Sequence, residues 1–337
     1  MIKVGLIGCG FMGGMHAACY EALGEKVKVV AVADVRAEKA DAMKEKFGCE
    51  VYEKGMDLIA NADVDVVDIC LPTYLHTEHA IAAMRKGKNV FVEKPVCLTK
   101  KEGKMLLKVE KETGVKVQVG QVIRSWNEYM WIKEVVDDGR YGKITSAKFE
   151  RLSPYPDWAW DNWLHKPECS GTVAMDLHVH DVDFVRYILG DPKKVYAAAG
   201  RDEKGMINHI ISTYTYGDGA MISVEGTWNY PANFPFKMGA RISFEKATVV
   251  LDTTASESLV VYTKEGEKIV PELKEEFQGD NEIGGNLSSL GGYYNELKYF
   301  IDGLTNGTEL TVAPLSEGVK SVELVLKEIV EAGGTVR

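Results

Sequence analysis

The chain has 337 residues, enough for two domains with separate cores, and its 45% hydrophobic and 27% charged content is that of an ordinary soluble globular protein. A formal net charge of −10, with lysines and arginines scattered along the chain, excludes charge-driven recruitment to nucleic acid or to an anionic membrane surface. The six cysteines (Cys9, Cys19, Cys49, Cys70, Cys97 and Cys169) are widely spaced and read as reduced, buried thiols of a cytoplasmic protein. No apolar run reaches membrane-spanning length, and the opening on a core strand reads as the lack of a signal peptide.

Met1 to Ile7 reads as a short apolar strand. It runs into Gly8-Cys-Gly10-Phe11-Met12-Gly13, and a helical pattern follows through Leu23. Val27 to Ala33 is a second apolar strand, and it ends on Asp34. Strand, glycine turn, helix, strand and acid form a dinucleotide-binding fingerprint in its expected context. Gly8 permits the tight turn, Gly10 lets the backbone approach a pyrophosphate, and Gly13 lets the helix pack close to the strand. The helix N-terminus then presents free N–H groups to phosphate charge. Asp34 follows Gly13 by about twenty residues, the spacing at which a carboxylate accepts the ribose hydroxyls. Its charge opposes a 2′-phosphate, so NAD is expected over NADP. Arg36, two residues on, is the one group that partly accommodates such a phosphate.

The alternation of strand and helix continues. A helix is expected over 36–47, a strand over 64–70 ending at Leu71-Pro72-Thr73, and a helix over 77–85. A strand over 89–92 ends on Glu93-Lys94-Pro95, and a helix over 99–113 leads to a strand over 115–119. Without tight hairpins, this order predicts a doubly wound parallel sheet with its ligand at the carboxyl ends of the strands. Gly8, Asp34, Pro72, Glu93 to Pro95 and Gly120-Gln121 all fall at those ends. The texture changes near residue 122, so the expected domains are 1–122, dinucleotide-binding, and 123–337, for substrate and oligomerisation. The second half opens with a helix near 125–138 and a strand over 143–151. An aromatic loop with Trp158, Trp160 and Trp163 follows, then a helix opened by Gly171. Strand runs follow over 207–216, 220–228, 236–244, 248–252 and 259–270, and two helices close the chain. This half is expected to be an α+β domain on a largely antiparallel open sheet. Its strands are expected to be apolar on both faces, one covering the domain core and the other awaiting a partner.

Two stretches could carry a reaction. Lys94 ends an apolar strand over the carboxyl edge of the sheet; the alternative is a surface ion pair after a strand. Asp176 and His180 are four residues apart on a helix and share a face, so the carboxylate can orient the imidazole, a proton acceptor near neutral pH. His178 is turned by about 200° from both, which argues against a His-x-His metal pair. His76-x-x-His79 and His165-x-x-x-Cys169 have ligand-like spacing but no full ligand set, so no metal is expected. The alternative for Asp176 and His180 is a buried polar pair. The three tryptophans suit stacking on a sugar ring, or simple packing of the loop.

Taken in order, Gly8-x-Gly10-x-x-Gly13, Asp34, Pro72-Thr73-x-x-His76, Glu93-Lys94-Pro95, Gly120-Gln121-x-x-Arg124 and Gly171-x4-Asp176-x3-His180-Asp-x-Asp183 resemble the Gfo/Idh/MocA family of sugar and inositol dehydrogenases. The resemblance extends to Tyr293-Tyr-Asn-Glu-Leu-x-x-Phe300 near the end of the chain. It implies a catalytic set of Lys94, Asp176 and His180, with His180 as base and Lys94 on the same oxygen. It implies that His76, Glu93, Leu71, Pro72 and Thr73 border the cofactor, together with Phe11, Met12, Arg36, Lys94 and Gln121. Arg124 and Trp163 join the catalytic set as substrate-binding residues, although Val122-Ile123 stand where the family carries a further basic residue before Arg124. The implied activity is NAD-dependent oxidation of a polyol or sugar secondary alcohol by a homodimer or homotetramer paired through the open sheet face. An NAD-using glycosidase and a non-catalytic NAD-binding regulator are the rivals within the same family.

Overall fold

The computed structural model describes residues 1–273 and 290–336. In chain order the first elements are β1 (Ile2–Ile7), α1 (Phe11–Ala22), β2 (Val27–Ala33), α2 (Ala37–Phe47), β3 (Glu50–Tyr52), α3 (Gly55–Asn61) and β4 (Val66–Ile69). Next come α4 (His76–Arg85), β5 (Asn89–Glu93), α5 (Lys100–Thr113), β6 (Val117–Gly120), α6 (Asn127–Asp138) and β7 (Ile144–Pro154). Then follow α7 (Pro167–Ser170), α8 (Val179–Leu189), β8 (Lys194–Arg201), β9 (Ile207–Thr215), β10 (Met221–Tyr230) and β11 (Lys237–Phe244). The last are β12 (Ala247–Asp252), β13 (Leu259–Thr263), β14 (Lys268–Ile269), α9 (Gly291–Asn306) and α10 (Leu315–Glu331). The strands β3 and β8 add to the expected set. The chain divides into two compact units, Met1–Trp126 with Glu275–Val319, and Asn127–Lys274 with Lys320–Arg337.

The first unit carries a six-stranded parallel sheet in the order β3-β2-β1-β4-β5-β6. All four residues of β4 and of β6 are buried, as expected of a sheet covered on both faces. Each such buried valine or isoleucine contributes about 1.5–3 kcal/mol relative to leaving it exposed. Register brings the strand ends level. Ile7 pairs with Ala33 and with Ile69, Ile69 with Val92, and Glu93 with Gly120. Gly8, Asp34, Leu71, Lys94 and Gln121 therefore follow strands that finish along one edge. The helix α5 starts at a capping box, in which the Thr99 side chain and Glu102 satisfy each other's backbone N–H groups.

The second unit carries an eight-stranded sheet in the order β14-β13-β12-β11-β7-β10-β9-β8. Only the β7–β10 pair is parallel among the described residues; every other neighbour pair is antiparallel. One face is apolar and buried, with Phe149, Ile210, Tyr214, Ile222, Val224, Ile242 and Val249. Phe184 of α8 packs on it, with ring centroids 6.1 Å from Phe149 and 4.8 Å from Tyr129 of α6. The opposite face is open, and here one expectation needs correcting. Alternation is clean in β12 and broken in β10 and β13, and the open face is mixed rather than uniformly apolar. Tyr196, Ile211, Met221 and Tyr262 are exposed on the strands, but a ladder of Lys148, Glu150, Glu225, Lys237 and Asp252 runs between them. No helix among the described residues is long and apolar enough to cross a membrane. No disulfide links any of the six cysteines.

Candidate active site

In the first unit the glycine turn is built as its sequence demands. Gly8 has a φ of +91°, and a Cβ there would lie 2.5 Å from the Cys70 carbonyl oxygen. A Cβ on Gly13 would lie 1.9 Å from the Gly8 carbonyl oxygen, so only glycine lets α1 approach β1 this closely. A Cβ on Gly10 would meet only the Arg36 guanidinium, at 3.4 Å, which leaves the backbone open to a ligand. Gly10 caps α1 without any side-chain hydrogen bond, and no acidic residue occupies the first turn. Phe11 and Met12 stand in that first turn. The N–H groups there are oriented for an anion.

Asp34 follows β2 directly. Its Oδ2 accepts the Cys9 backbone N–H at 2.8 Å, inside the glycine turn. Its Oδ1 accepts the Arg36 backbone N–H at 2.9 Å, and the Arg36 guanidinium forks across both oxygens at 3.0 Å. Burial pushes the carboxyl up, but the Arg36 guanidinium and the two backbone N–H groups outweigh it and hold its pKa below the ordinary value. Asp34 is thus an ionised acceptor already partnered by a cation.

The turns after β4 and β5 are stapled together. His76 is buried, with Nδ1 2.9 Å from the Pro95 carbonyl and Nε2 2.7 Å from the Leu71 carbonyl. Its ring sits between Leu71-Pro72-Thr73 and Glu93-Lys94-Pro95, whose Lys94–Pro95 bond is cis, and in its neutral form donates to one of the two carbonyls. Burial holds the His76 pKa below its ordinary value, against the pull of the two carbonyls. His79 and His165 likewise face the carbonyls of Leu75 and Pro156, at 2.9 Å and 3.0 Å. Thr73 and Glu93 are buried. Gln121 is 1% exposed, and neither atom of its side-chain amide meets a hydrogen-bond partner among the described residues, so a polar ligand group fits there. Arg124 is 3% exposed and donates from Nη1 to the Val312 carbonyl, so this side of its fork holds the chain.

Beneath these turns lies a cluster that the sequence motifs do not mark. His16 of α1 is wholly buried between Asp68 of β4 and Glu93, with Tyr20, Cys70 and Glu296 around it. The groups His16, Asp68, Cys70 and His16, Glu93, Glu296 are each close enough to hold an ion. The ring nitrogens, however, sit at hydrogen-bond distance from the carboxylates, 2.8 Å and 3.1 Å, and the arrangement is a bonded polar network. A charged residue inside the apolar run Val66-Val-Asp68-Ile69, and a histidine on the buried face of α1, were its sequence signals.

In the second unit Gly171 and Thr172 both adopt left-handed conformations, with φ of +70°, and a helix begins after them. A threonine there is a true outlier, and strain of this kind gathers at functional positions. Residues Ala174–His178 form a π-helical turn that runs into α8. Asp176 lies in the π turn and is half-buried, and His180 lies one turn on and is buried. His178 points the other way. It is fully buried against Gly226, with Nε2 3.2 Å from Glu328 and 3.4 Å from Ser212. The next acids of the motif are paired: Asp181 with Arg151 at 2.8 Å, and Asp183 with Ser321, which also accepts from Arg186. Trp158 and Trp160 are 65% and 45% exposed, and Trp163 is half-buried in a short 3₁₀ segment, Trp160–His165, with left-handed Asp161 and Asn162.

Residues 2–121 match the family described as oxidoreductases with an NAD-binding Rossmann fold, and residues 129–250 match the GFO/IDH/MocA C-terminal domain. The chain is 34% identical over 203 residues to the inositol 2-dehydrogenase of Rhizobium meliloti (strain 1021), covering 59% of this chain and 58% of that protein, less than two thirds of its length. It is 26% identical over 275 residues to the myo-inositol 2-dehydrogenase of Thermotoga maritima, covering 79% and 80%. Levoglucosan dehydrogenase, solved in complex with NADH and levoglucosan, superposes with a TM-score of 0.86 over 98% of this chain and 97% of that one. At 22% identity that last likeness is one of fold.

Proposed function

We propose that this chain, which belongs to the Gfo/Idh/MocA oxidoreductase family, oxidises a secondary alcohol of a polyol or sugar with NAD as its dinucleotide. The observation that carries this is the Asp34 carboxylate, held beside the open glycine turn by the Cys9 N–H and ready for ribose hydroxyls. The inositol dehydrogenases among the relatives support the substrate class. The N-terminal turn of α1 would hold the pyrophosphate, and Leu71 to Thr73 and Gln121 would border the rest. The dinucleotide, when bound, supplies the hydride acceptor.

The chain's own residues do the remainder. His180 removes the hydroxyl proton as the carbon gives up its hydride. Lys94 donates a hydrogen bond to the same oxygen and stabilises the negative charge that develops on it. Asp176 orients His180 or a neighbouring substrate hydroxyl. Trp163 offers an apolar ring face to the sugar, and Arg124 lends its donors to substrate hydroxyls. NAD is preferred over NADP because Asp34 opposes a 2′-phosphate. The preference is partial because Arg36 has already neutralised much of that charge.

The test is NADH formation across inositols, aldoses and sugar acids. Turnover of one of them supports the proposal. No turnover of any with either dinucleotide overturns it, and product release without net NADH indicates a glycosidase instead. The exposed tyrosines and Met221 on the open sheet face favour a homodimer or homotetramer, with two such faces meeting. Light scattering should show no stable monomer at micromolar concentration.

A further inference from the structure

Glu93 spends both carboxylate oxygens. Oε1 lies 3.1 Å from His16 Nε2, and Oε2 accepts the backbone N–H of Lys94 at 3.2 Å. The other His16 nitrogen, Nδ1, lies 2.8 Å from Asp68 Oδ2 and 3.2 Å from Cys70 Sγ. Tyr20 donates its hydroxyl to the same Asp68 oxygen at 2.8 Å. The imidazole is fixed in the remaining directions by Phe91, edge-on at 5.4 Å, and by Tyr293, with ring centroids 6.3 Å apart. Glu296 of α9 lies within 4.8 Å of both His16 and Glu93, and the buried Cys19 thiol also feels the ring's charge. An ionised carboxylate only accepts hydrogen bonds, so a ring held between two of them donates from both nitrogens. Such a doubly charged-assisted bridge is short, directional and costly to distort inside a dry core.

We propose that His16 is the positioning residue for Lys94: clamped between Asp68 and Glu93, it fixes the carboxylate that receives the Lys94 N–H and so sets how Lys94 leaves the strand. This rests on the role given to Lys94 above. The chain of contacts runs Asp68, His16, Glu93, Lys94, and every link is within hydrogen-bond distance. Burial opposes charge on the ring, but Asp68 overcomes it and holds the His16 pKa well above its ordinary value. Burial and the charge of Glu93 push the pKa of the neighbouring Glu296 up, which weakens its competition for the imidazolium.

The decisive experiment is a double-mutant cycle on kcat. His16→Gln removes the second donated bond and should lower kcat on the order of tenfold to a hundredfold, the cost of a small misplacement of a reacting group. KM for NAD and for the alcohol should stay within a few-fold. In the Lys94→Ala background the same substitution should change kcat by less than about twofold, because the group being positioned is gone. Losses that multiply in the double variant would overturn the inference, since a merely structural role acts whether or not Lys94 is present. Unchanged kcat in a folded His16→Gln enzyme would also overturn it. If His16→Gln fails to fold, Tyr20→Phe carries the test. It weakens the same clamp at Asp68 and should give a smaller loss that likewise vanishes without Lys94; a loss that persists there overturns the inference. Normal turnover of Lys94→Ala alone would instead overturn the role of Lys94, and this inference with it.

Discussion

The two units bury polar groups in opposite ways. In the second, buried guanidinium groups are each matched to a carboxylate: Arg151 to Asp181, and Arg186 to Asp191. In the first, three carboxyls, Asp68, Glu93 and Glu296, lie around one imidazole, and burial and the charge of Glu93 push the Glu296 pKa up. The Arg151–Asp181 pair ties the helix that carries His180 to β7 beneath it. The unmatched cluster reaches outward through Glu93 to the backbone of Lys94. Matched charge therefore serves rigidity, whereas the mismatched cluster ends on the backbone of Lys94, the residue proposed to stabilise the reacting oxygen.

The comparison breaks first if the two units do not both supply chemistry. His180→Ala should lower kcat by a factor on the order of a hundred to ten thousand with little change in NAD affinity, and Lys94→Ala should resemble it. Stopped-flow and steady-state absorbance of NADH measure this directly. The rise of kcat/KM with pH should flatten in the His180 variant. Near-normal turnover in either variant would leave that residue structural, and would make the corresponding unit a scaffold only.

Stability is the next largest effect. Arg151 is 2% exposed, and its guanidinium meets Asp181 and the Tyr129 hydroxyl. Asp181→Ala would leave that cation buried and uncompensated, and should cost about 3–5 kcal/mol in urea unfolding. A loss below about 1 kcal/mol would mean that water reaches the guanidinium, and that the second unit is not held by matched charge.

The two kinds of burial were unequally legible. The glycine turn, Asp34 and the level strand ends could be read directly, because each answers a local steric or hydrogen-bonding demand that a motif records. The pairing of Asp181 and Asp183 could not. Their partners Arg151 and Ser321 lie 30 and 138 residues away, and nothing local announces them. The His16 cluster was half legible: Asp68 in an apolar strand and His16 on the buried face of α1 stand out, whereas Glu296 arrives from the far end of the chain. The π turn at Ala174–His178 was also invisible, since apolar spacing does not separate it from an ordinary helix. The edge strand β3 is only three residues long, too short for alternation to show.

Asp34 and Arg36 are the first unit's own matched pair, with the carboxylate buried and the guanidinium partly accessible. Arg36 keeps 25% of its side chain accessible, so water can solvate the guanidinium once it is released. Asp34→Ser should therefore act on specificity. With the carboxylate gone, the guanidinium is available to a 2′-phosphate, and the NADP to NAD ratio of kcat/KM should rise on the order of tenfold or more, about 1.4 kcal/mol. A wild-type enzyme that already uses NADP as well as NAD would defeat the assignment.

The smallest effect tests the surplus acid itself. Burial, then the charge of Glu93, raises the Glu296 pKa well above its ordinary 4.5. The unfolded chain sheds this proton near that value while the folded chain retains it, so stability falls as pH rises from there to the folded-state pKa. His16 tilts the same way. Its pKa is raised, so the stability it contributes is complete below about 6.5 and is lost as pH climbs through its folded-state value. Both groups make the first unit weaken on the alkaline side. Glu296→Gln keeps the shape of the protonated carboxyl and cannot ionise, so it removes one of the two contributions. Thermal melts at about pH 6 and about pH 9 should show a fall in Tm that is shallower in the variant by a few degrees, with little difference near pH 4. Parallel curves for wild type and Glu296→Gln would show that Glu296 is ionised in the folded state, and the contrast between the two units would fail at its most specific point.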